Sequence, residues 1–470
     1  MRKKVILYNP TAVFFDMPLA LLAIASSVDK EKYDVSIVDG RLEKAPLKVV
    51  SERVKGALVL GITVLTGSPI SDALEVSRLA KKINPDITVV WGGWHASLFP
   101  TETLDQETSV DVTVQGQGEK TFVEILEKLS VGANLSGVKG CTYRGSDKIT
   151  KNPPRVLEDM NDLPRVNYDL IDPEKYYQKK GQRQFDYISS TGCFFRCSFC
   201  ADPFVYKRSW TAIEPARMRE ELEAQWKKNP FTDLNLQDET FFTYRERSLA
   251  VAEEFIKRKL NISWAATMRA DQGSRLEDAD FGLLAKSGLR RLLIGVESGS
   301  QEMMDWMQKD IKLEQVYQCA ERCLKHNISV IFPFIVGFPG ESQENFHKSL
   351  KMAHELASMS KNFNTPIFYF KPYPGSKITM DAVKDGYQLP TSLEEWAKFD
   401  YIGSAGPWLT DENYKLVERF KFYLKAGYGR TRWYTWPIHK LARMRCEREY
   451  YGFPFEKIVI EKIISRPELS

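Results

Sequence analysis

Short apolar runs alternate with amphipathic stretches in two long blocks, and a segment with neither pattern separates them. In the first block the runs 5–8, 35–38, 57–62, 87–91 and 110–114 are of the kind that become strands buried on both faces. Stretches of helical period lie between them. The clearest is 71–83, where Leu74, Val76, Leu79 and Ile83 form an apolar stripe. This alternation predicts a parallel, doubly wound sheet, which binds ligands beyond the carboxyl ends of its strands. Residues 136–150 read as a small hairpin, and the Pro-containing, strand-poor stretch 153–182 as a linker or wrapping segment.

A second series begins at Asp186. Strands are expected at 186–189, 234–237, 263–266, 291–295, 329–336 and 366–370, with helices such as 214–228, 248–258 and 344–356 between them. Six parallel βα units predict an α/β barrel, partial or full, whose chemistry sits at the carboxyl ends of its strands. Near residue 390 the alternation gives way to a helical tail. The expected division is a Rossmann-like domain at 1–135, a hairpin and linker at 136–182, a partial (β/α)6 barrel at 183–385 and a helical C-terminal domain at 386–470. Within the tail, aromatic and basic residues interleave: Tyr428, Arg430, Arg432, Trp433, Tyr434, Trp436, His439, Lys440, Arg443 and Arg445. The favoured reading is an amphipathic helix packed on the barrel with a solvated basic face. The other is a lid over a lipid-like or anionic substrate, or a patch in peripheral contact with a membrane.

The 470 residues are 43% hydrophobic and 27% charged, the balance of a globular protein large enough for two or three domains. A net charge of +4 leaves no electrostatic footprint for a nucleic acid. No apolar run reaches the roughly eighteen residues of a transmembrane segment. The basic start Met1-Arg2-Lys3-Lys4 leads into 5–8 and stops at Asn9-Pro10 without a small-residue cleavage site. It reads as a first strand, not a secretory signal, and implies a cytoplasmic protein. Seven cysteines, an odd number, argue against a disulfide framework. Cys319 and Cys323, four apart, read as helix-core residues, while Cys141 and Cys446 are dispersed.

The remaining three form the run Cys193-x3-Cys197-x2-Cys200, which follows the strand at 186–189 through Ser190-Thr191-Gly192. These spacings let one short loop wrap three thiolates around a corner of a cubane cluster. Structural zinc wants four closed ligands, and no second pair is near. An iron–sulfur cluster held by three thiolates keeps one iron open. Here the chain resembles the radical S-adenosylmethionine superfamily, whose hallmark is C-x3-C-x2-C after the first barrel strand, with an aromatic before the last cysteine. Phe199 stands in that place, and the resemblance implies that it contacts S-adenosylmethionine.

The resemblance implies a 4Fe-4S cluster on Cys193, Cys197 and Cys200, whose open iron chelates the methionine moiety of S-adenosylmethionine. One electron then breaks the sulfonium bond and releases a 5′-deoxyadenosyl radical, which takes hydrogen from an unactivated carbon. It also implies binding residues for S-adenosylmethionine. Asp238 or Glu239, in Gln237-Asp238-Glu239-Thr240-Phe241, stands where the family places a carboxylate for the methionine ammonium; a helix N-cap is the alternative there. Arg269 closes the third strand and is expected to pair with the methionine carboxylate. Glu297 and Ser298, in Gly295-Val296-Glu297-Ser298-Gly299, match the segment at the ribose and amino group. A glutamate at the end of an apolar strand is rarely there for packing. The segments 336–341 and 373–376 match as Gly/Pro turns.

The first block resembles the cobalamin-binding domain of a large subclass of these enzymes. Free-standing cobalamin domains carry Asp-x-His-x-x-Gly, then Ser-x-Leu, then Gly-Gly. Asp39-Gly40-Arg41-Leu42, Thr63-Val64-Leu65 and Gly92-Gly93 occupy those places, without the histidine that would ligate cobalt. Gln115-Gly116-Gln117-Gly118-Glu119 resembles the subclass's G-x-G-E turn. The resemblance implies a cobalamin site lined by Asp39, Thr63, Leu65, Gly92, Gly93 and Gly116, with no imidazole from this motif below the cobalt. Glycine permits the close backbone approach. The alternative is a degenerate nucleotide fold that binds nothing. His95 lies near this edge as a cofactor-lining or a structural residue.

The resemblance spans roughly residues 1–380. It implies a cobalamin-dependent radical enzyme of the class B methyltransferase type, in which a substrate radical takes a methyl group from methylcobalamin. A cyclase or rearrangement enzyme without methyl transfer, or a non-catalytic iron–sulfur or cobalamin module, are the alternatives. Expected partners are a small-molecule or lipid-like substrate and an external one-electron reductant such as flavodoxin or ferredoxin. No acid, base or radical-quenching residue is assigned.

Overall fold

The computed structural model describes residues 2–257, 261–399, 406–429 and 436–458. The chain forms two compact units. One comprises Met1–Phe241, Glu253–Trp264 and Tyr373–Asp400; the other comprises Phe242–Ala252, Ala265–Pro372 and Tyr401–Ser470.

In the first unit the five apolar runs become parallel strands β1 (Lys3–Asn9), β2 (Tyr33–Asp39), β3 (Ala57–Thr63), β4 (Thr88–Gly92) and β5 (Val112–Val114). Period-two alternation along β1 divides the core. Ile6 and Tyr8 pack with the helices Pro46–Arg53 and Pro69–Ile83, while Val5 and Leu7 pack with Leu19–Ser27 and Glu119–Ser130. Both faces are thus covered, as a parallel sheet requires. The hairpin does not stand apart: β6 (Cys141–Arg144) and β7 (Ile149–Lys151) add antiparallel to β5 and complete a sheet ordered β2-β1-β3-β4-β5-β6-β7. The stretch expected to be a linker contains a helix, Pro173–Lys180. Asp172 caps it by accepting from the Glu174 amide, and left-handed Gly181 (φ 66°) ends it.

The second parallel series comprises β8 (Gln184–Tyr187), β11 (Asp233–Leu236), β12 (Ser263–Met268), β13 (Leu289–Ile294), β14 (Ser329–Ile331) and β16 (Phe363–Asn364), standing in the sheet in chain order. Between β8 and β11 a short antiparallel pair forms from β9 (Ser190–Gly192) and β10 (Trp210–Ala212). The single strand expected at 329–336 is broken. Its second half, β15 (Phe334–Val336), pairs with β17 (Ile367–Tyr369) as a separate ladder. Pro333 is the cause, since it has no N–H to give the ladder. Its carbonyl instead accepts from the amides of Val296 and Glu297 at 3.2 and 2.9 Å.

No helix among the described residues is long and apolar enough to cross a membrane. Much of the tail's basic character is spent within the tail. Arg443 lies over the Tyr428 ring and donates to the Gly427 carbonyl, Arg445 pairs with Glu456, and Lys440 lies over Trp436. Arg430, Arg432, Trp433 and Tyr434 lie outside the described residues.

Leu393, Trp396 and Phe399, beyond the barrel in sequence, are buried in the core of the first unit. The Trp396 ring lies 4.9 Å from Phe99 and 6.0 Å from His95. Trp396→Ala is therefore expected to lower the unfolding free energy by about 3–5 kcal/mol, the cost of a buried aromatic left as a cavity. Urea denaturation of the ligand-free protein checks this.

Candidate functional site

At the carboxyl ends of β3, β4 and β5 the first unit opens into a cavity of about 340 Å³. Thr63, Leu65, Gly92, Gly93 and Gly116 all line it, beside the apolar face Leu19, Ala20, Ala23 and Ile24. Much of its wall is bare backbone. A Cβ on Gly92 or Gly116 would meet nothing within 4 Å, so both positions leave open floor toward a ligand. Gly93 is needed for a different reason. Its φ is +87°, and a Cβ there would stand 2.9 Å from both the amide nitrogen and the carbonyl oxygen of Val64. A broad, apolar concavity with exposed backbone and a few hydroxyl and amide groups suits a large macrocycle fringed with amides, and cobalamin is of that kind.

Asp39 does not line this cavity. It is 6% exposed and its carboxylate is fully engaged: Arg41 donates through its amide, Nε and Nη2 at 3.1, 2.9 and 2.6 Å, and the Tyr176 hydroxyl donates at 2.8 Å. Arg41 also donates to the carbonyls of Phe14 and Asp16 at 2.8 and 2.5 Å. The residue at the histidine's place in the motif thus ties down the loop after β1. His95 is also internal. It is fully buried, its Nδ1 is 3.3 Å from the Thr66 hydroxyl, and burial pushes its pKa down to about 4, so the ring is neutral. Its Nε2 is buried with no hydrogen-bond partner among the described residues.

The cysteine loop belongs to the same unit and runs from the end of β9 to the start of β10. At its root Gly192 has φ +90°, and a Cβ there would lie 2.3 Å from the Ser209 carbonyl oxygen, so the two arms close only on glycine. Arg208 donates to the Phe194 carbonyl at 3.1 Å, and the Ile378 amide donates to the Ser198 carbonyl at 2.9 Å. Cys193, Cys197 and Cys200 are all partly exposed. The described residues contain no finished cage of three metal-binding side chains. The donor set still suits an iron–sulfur cluster: three thiols on one anchored loop, with the Asp202 amide 3.4 Å from the Cys200 sulfur as a donor to a thiolate. Phe199 lies on this loop between Ser198 and Cys200.

The two acids after β11 have separate tasks. Asp238, 3% exposed, accepts from the Ser189 amide and hydroxyl at 2.8 and 2.7 Å and from the Ser190 hydroxyl at 2.6 Å. It fastens the end of β11 to the start of β9. Glu239 lines the cavity, accepting from the Gly192 amide at 3.2 Å and the Tyr206 hydroxyl at 2.9 Å. Burial lifts its pKa to about 7, with the nearby Asp202 adding to the rise. Tyr206 also lines the cavity and was not singled out from sequence.

In the second unit, Arg269 donates through Nε to Asp271 at 2.9 Å and through Nη2 to the Lys309 carbonyl at 2.5 Å. Glu297, at φ +67°, is paired with the buried Lys309 ammonium at 2.5 Å. Ser298 is fully buried, its hydroxyl 3.1 Å from that of Ser349 and accepting from the Ser300 amide at 3.2 Å. It is tied into the scaffold. Glu341 buttresses the turn after β15 by accepting from the Gly337 amide at 2.6 Å, and burial pushes it up to about 7. Lys309 escaped the sequence reading because a lone lysine among polar residues resembles a surface residue.

Residues 187–353 match the Radical SAM superfamily, and residues 11–126 match the B12 binding domain. The chain is a radical S-adenosylmethionine enzyme with a cobalamin-binding domain ahead of its barrel, and the cofactors of that class are a 4Fe-4S cluster, S-adenosylmethionine and cobalamin. Within the class, an uncharacterized methyltransferase of Pyrococcus horikoshii is 27% identical over 413 residues, covering 87% of this chain and 88% of that protein. The anaerobic magnesium-protoporphyrin IX monomethyl ester cyclase of Rubrivivax gelatinosus is 28% identical over 327 residues, covering 68% of this chain and 57% of the cyclase. The solved structure of the radical S-adenosylmethionine methyltransferase TsrM from Kitasatospora setae shares the fold, with a TM-score of 0.73 at 16% identity over 98% of this chain and 100% of that one.

Two outcomes follow from the geometry. Gly92→Val puts methyl groups into the open floor without a protein clash at Cβ, so cobalamin binding, read by its visible spectrum after reconstitution, is expected to fall while thermal stability and iron content hold. For Glu239, the folded pKa near 7 lies above the unfolded carboxylate's 4.5, so ionisation opposes folding. Stability from this group is present below pH 4.5 and declines by about 3 kcal/mol as pH rises to 7. Glu239→Gln, which cannot ionise, is expected to flatten that slope in urea titrations of the ligand-free protein.

Proposed function

We propose that the protein is a cobalamin-dependent methyltransferase acting on an unactivated carbon. The supporting observation is the joining, in one unit, of a bare-backbone cavity suited to a macrocycle and an anchored three-cysteine loop. Together the bound groups supply a carbon-centred radical for hydrogen abstraction and a methyl group for transfer. Cys193, Cys197 and Cys200 hold the cluster, and Phe199 on the same loop meets S-adenosylmethionine. Thr63, Leu65, Gly92, Gly93 and Gly116 receive cobalamin, and no histidine lines that cavity among the described residues. Asp39 acts through Arg41, and Asp238 through the serines at the root of the loop.

Glu239, held by Tyr206, carries a carboxyl that exchanges its proton near neutral pH and accepts from the methionine ammonium. We also assign Arg269 and Glu297 to S-adenosylmethionine. Ser298 supports Glu297 from within the scaffold. The substrate is a small or lipid-like molecule, and an external one-electron reductant such as flavodoxin or ferredoxin works with the enzyme in the cytoplasm. The relatives favour methyl transfer over cyclisation, because the methyltransferase aligns along nearly its whole length and the cyclase along little more than half.

Metal analysis of protein purified without oxygen and reconstituted with iron, sulfide and cobalamin is expected to give about four irons and one cobalt per chain. Cys197→Ala is expected to lose the iron and retain the cobalt. Under reducing conditions the enzyme should release 5′-deoxyadenosine and add one methyl to its substrate. Turnover without a mass gain would favour the cyclase class, and iron without cobalt would remove the methylcobalamin reading.

A further inference from the structure

The turn that follows the helix Trp436–Glu447 is built from the inside by one arginine. The Arg445 side chain is 11% exposed and pairs with Glu456 through Nε and Nη2. Its other bonds go to the backbone. Nη1 donates to the Gly452 carbonyl at 2.8 Å and the Tyr450 carbonyl at 3.3 Å, and Nη2 to the Phe453 carbonyl at 3.0 Å. The guanidinium also lies over the rings of Tyr423 and Tyr450, 5.0 and 5.5 Å from their centroids. One planar fork thus holds residues 450, 452, 453 and 456 in a single shape.

What that shape presents is apolar. Tyr451 turns inward, its ring 5.4 Å from Phe420 and 6.2 Å from Tyr423 on the helix Asp411–Tyr428. Its neighbours turn outward: Tyr450, Phe453 and Phe455 are 52, 85 and 73% exposed. Phe453 has φ +43°, a conformation that glycine or asparagine takes readily and a bulky ring does not. Neither the backbone nor packing among the described residues calls for a phenylalanine there. A position that strains its backbone to keep an exposed aromatic points to a contact beyond these residues. Trp436 and Ile458, on either side of the turn in sequence, are exposed as well.

The charges indicate what that contact is. With Arg445 and Glu456 used inside the turn, residues 436–458 retain Lys440, Arg443, Arg448 and Lys457 against Glu447 and Glu449. Aromatic rings within a net positive segment complement an anionic lipid surface, where rings settle among the headgroups and cations meet the phosphates.

We propose that this turn is a membrane-contact element, through which the protein rests on an anionic lipid surface with Phe453 and Phe455 entering the headgroup region. Three rings and a small net charge give weak, reversible attachment, far short of a membrane-spanning anchor. The contact stands apart from the cofactor sites and does not depend on which reaction they carry out.

The test is co-sedimentation of the reconstituted full chain with vesicles of equal parts phosphatidylcholine and phosphatidylglycerol, beside vesicles of phosphatidylcholine alone. The wild type is expected to pellet with the anionic vesicles, less with the neutral ones, and to be partly released by salt. The double variant Phe453→Asn, Phe455→Ser is expected to bind at least about tenfold more weakly. Asparagine suits the left-handed backbone, so thermal stability and iron content should hold. Arg448→Glu leaves the supports of the turn in place and should also weaken binding to the anionic vesicles; it decides the matter if the double variant folds poorly. A wild type that stays in the supernatant, or variants that pellet as it does, overturn the proposal. So does a vesicle-free sedimentation-velocity run in which the wild type self-associates and the double variant does not, because the surface then serves a second copy of the chain.

Discussion

The site in the first unit depends on one buried carboxylate. Asp238 accepts three hydrogen bonds from two consecutive serines, and so joins the end of β11 to the start of β9 across a gap that no backbone ladder spans. A carboxylate in that position is tolerable only because its acceptor capacity is used. With it in place, the strand end cannot shift, the glycine root of the cysteine loop is fixed, and the next residue, Glu239, faces the cavity. Adjacent acids thereby divide the labour, one holding the frame and the other carrying an exchangeable proton.

The same economy recurs in both units. Asp39 holds Arg41, and Arg41 holds the loop after β1; Lys309 holds Glu297 and Arg269; Glu341 holds the turn at Gly337. In each case a charged or buried polar group lies one step behind a strand end, where a parallel sheet leaves its backbone and side chains to meet a ligand. Glycines do the complementary task. Gly92 and Gly116 leave floor uncovered, whereas Gly93 and Gly192 take conformations, beside close neighbours, that an ordinary residue resists.

Strand periodicity was legible because burial on both faces leaves a continuous apolar run, and the five runs of the first sheet lie within a residue or two of the expected positions. The cysteine spacing was legible because one loop supplies all its ligands. Other features were hidden. The break at Pro333 was masked by apolar residues on both sides, and the helix Pro173–Lys180 by its lack of an apolar stripe. The roles of Asp39, Asp238 and Ser298 looked like ligand contacts in sequence because a motif position names a residue type without saying which way its side chain turns.

What the sequence by itself determined is therefore local: two alternating series, the three-cysteine loop, and glycines at strand ends. Each of these is a property of neighbours in the chain. Only the tertiary structure decided which acid faces the cavity, that His95 is a neutral core residue packed on a tryptophan three hundred residues away, and that a lone lysine holds two polar groups together. Those outcomes depend on burial and on partners distant in sequence, and both come into being only when the strands have been brought side by side.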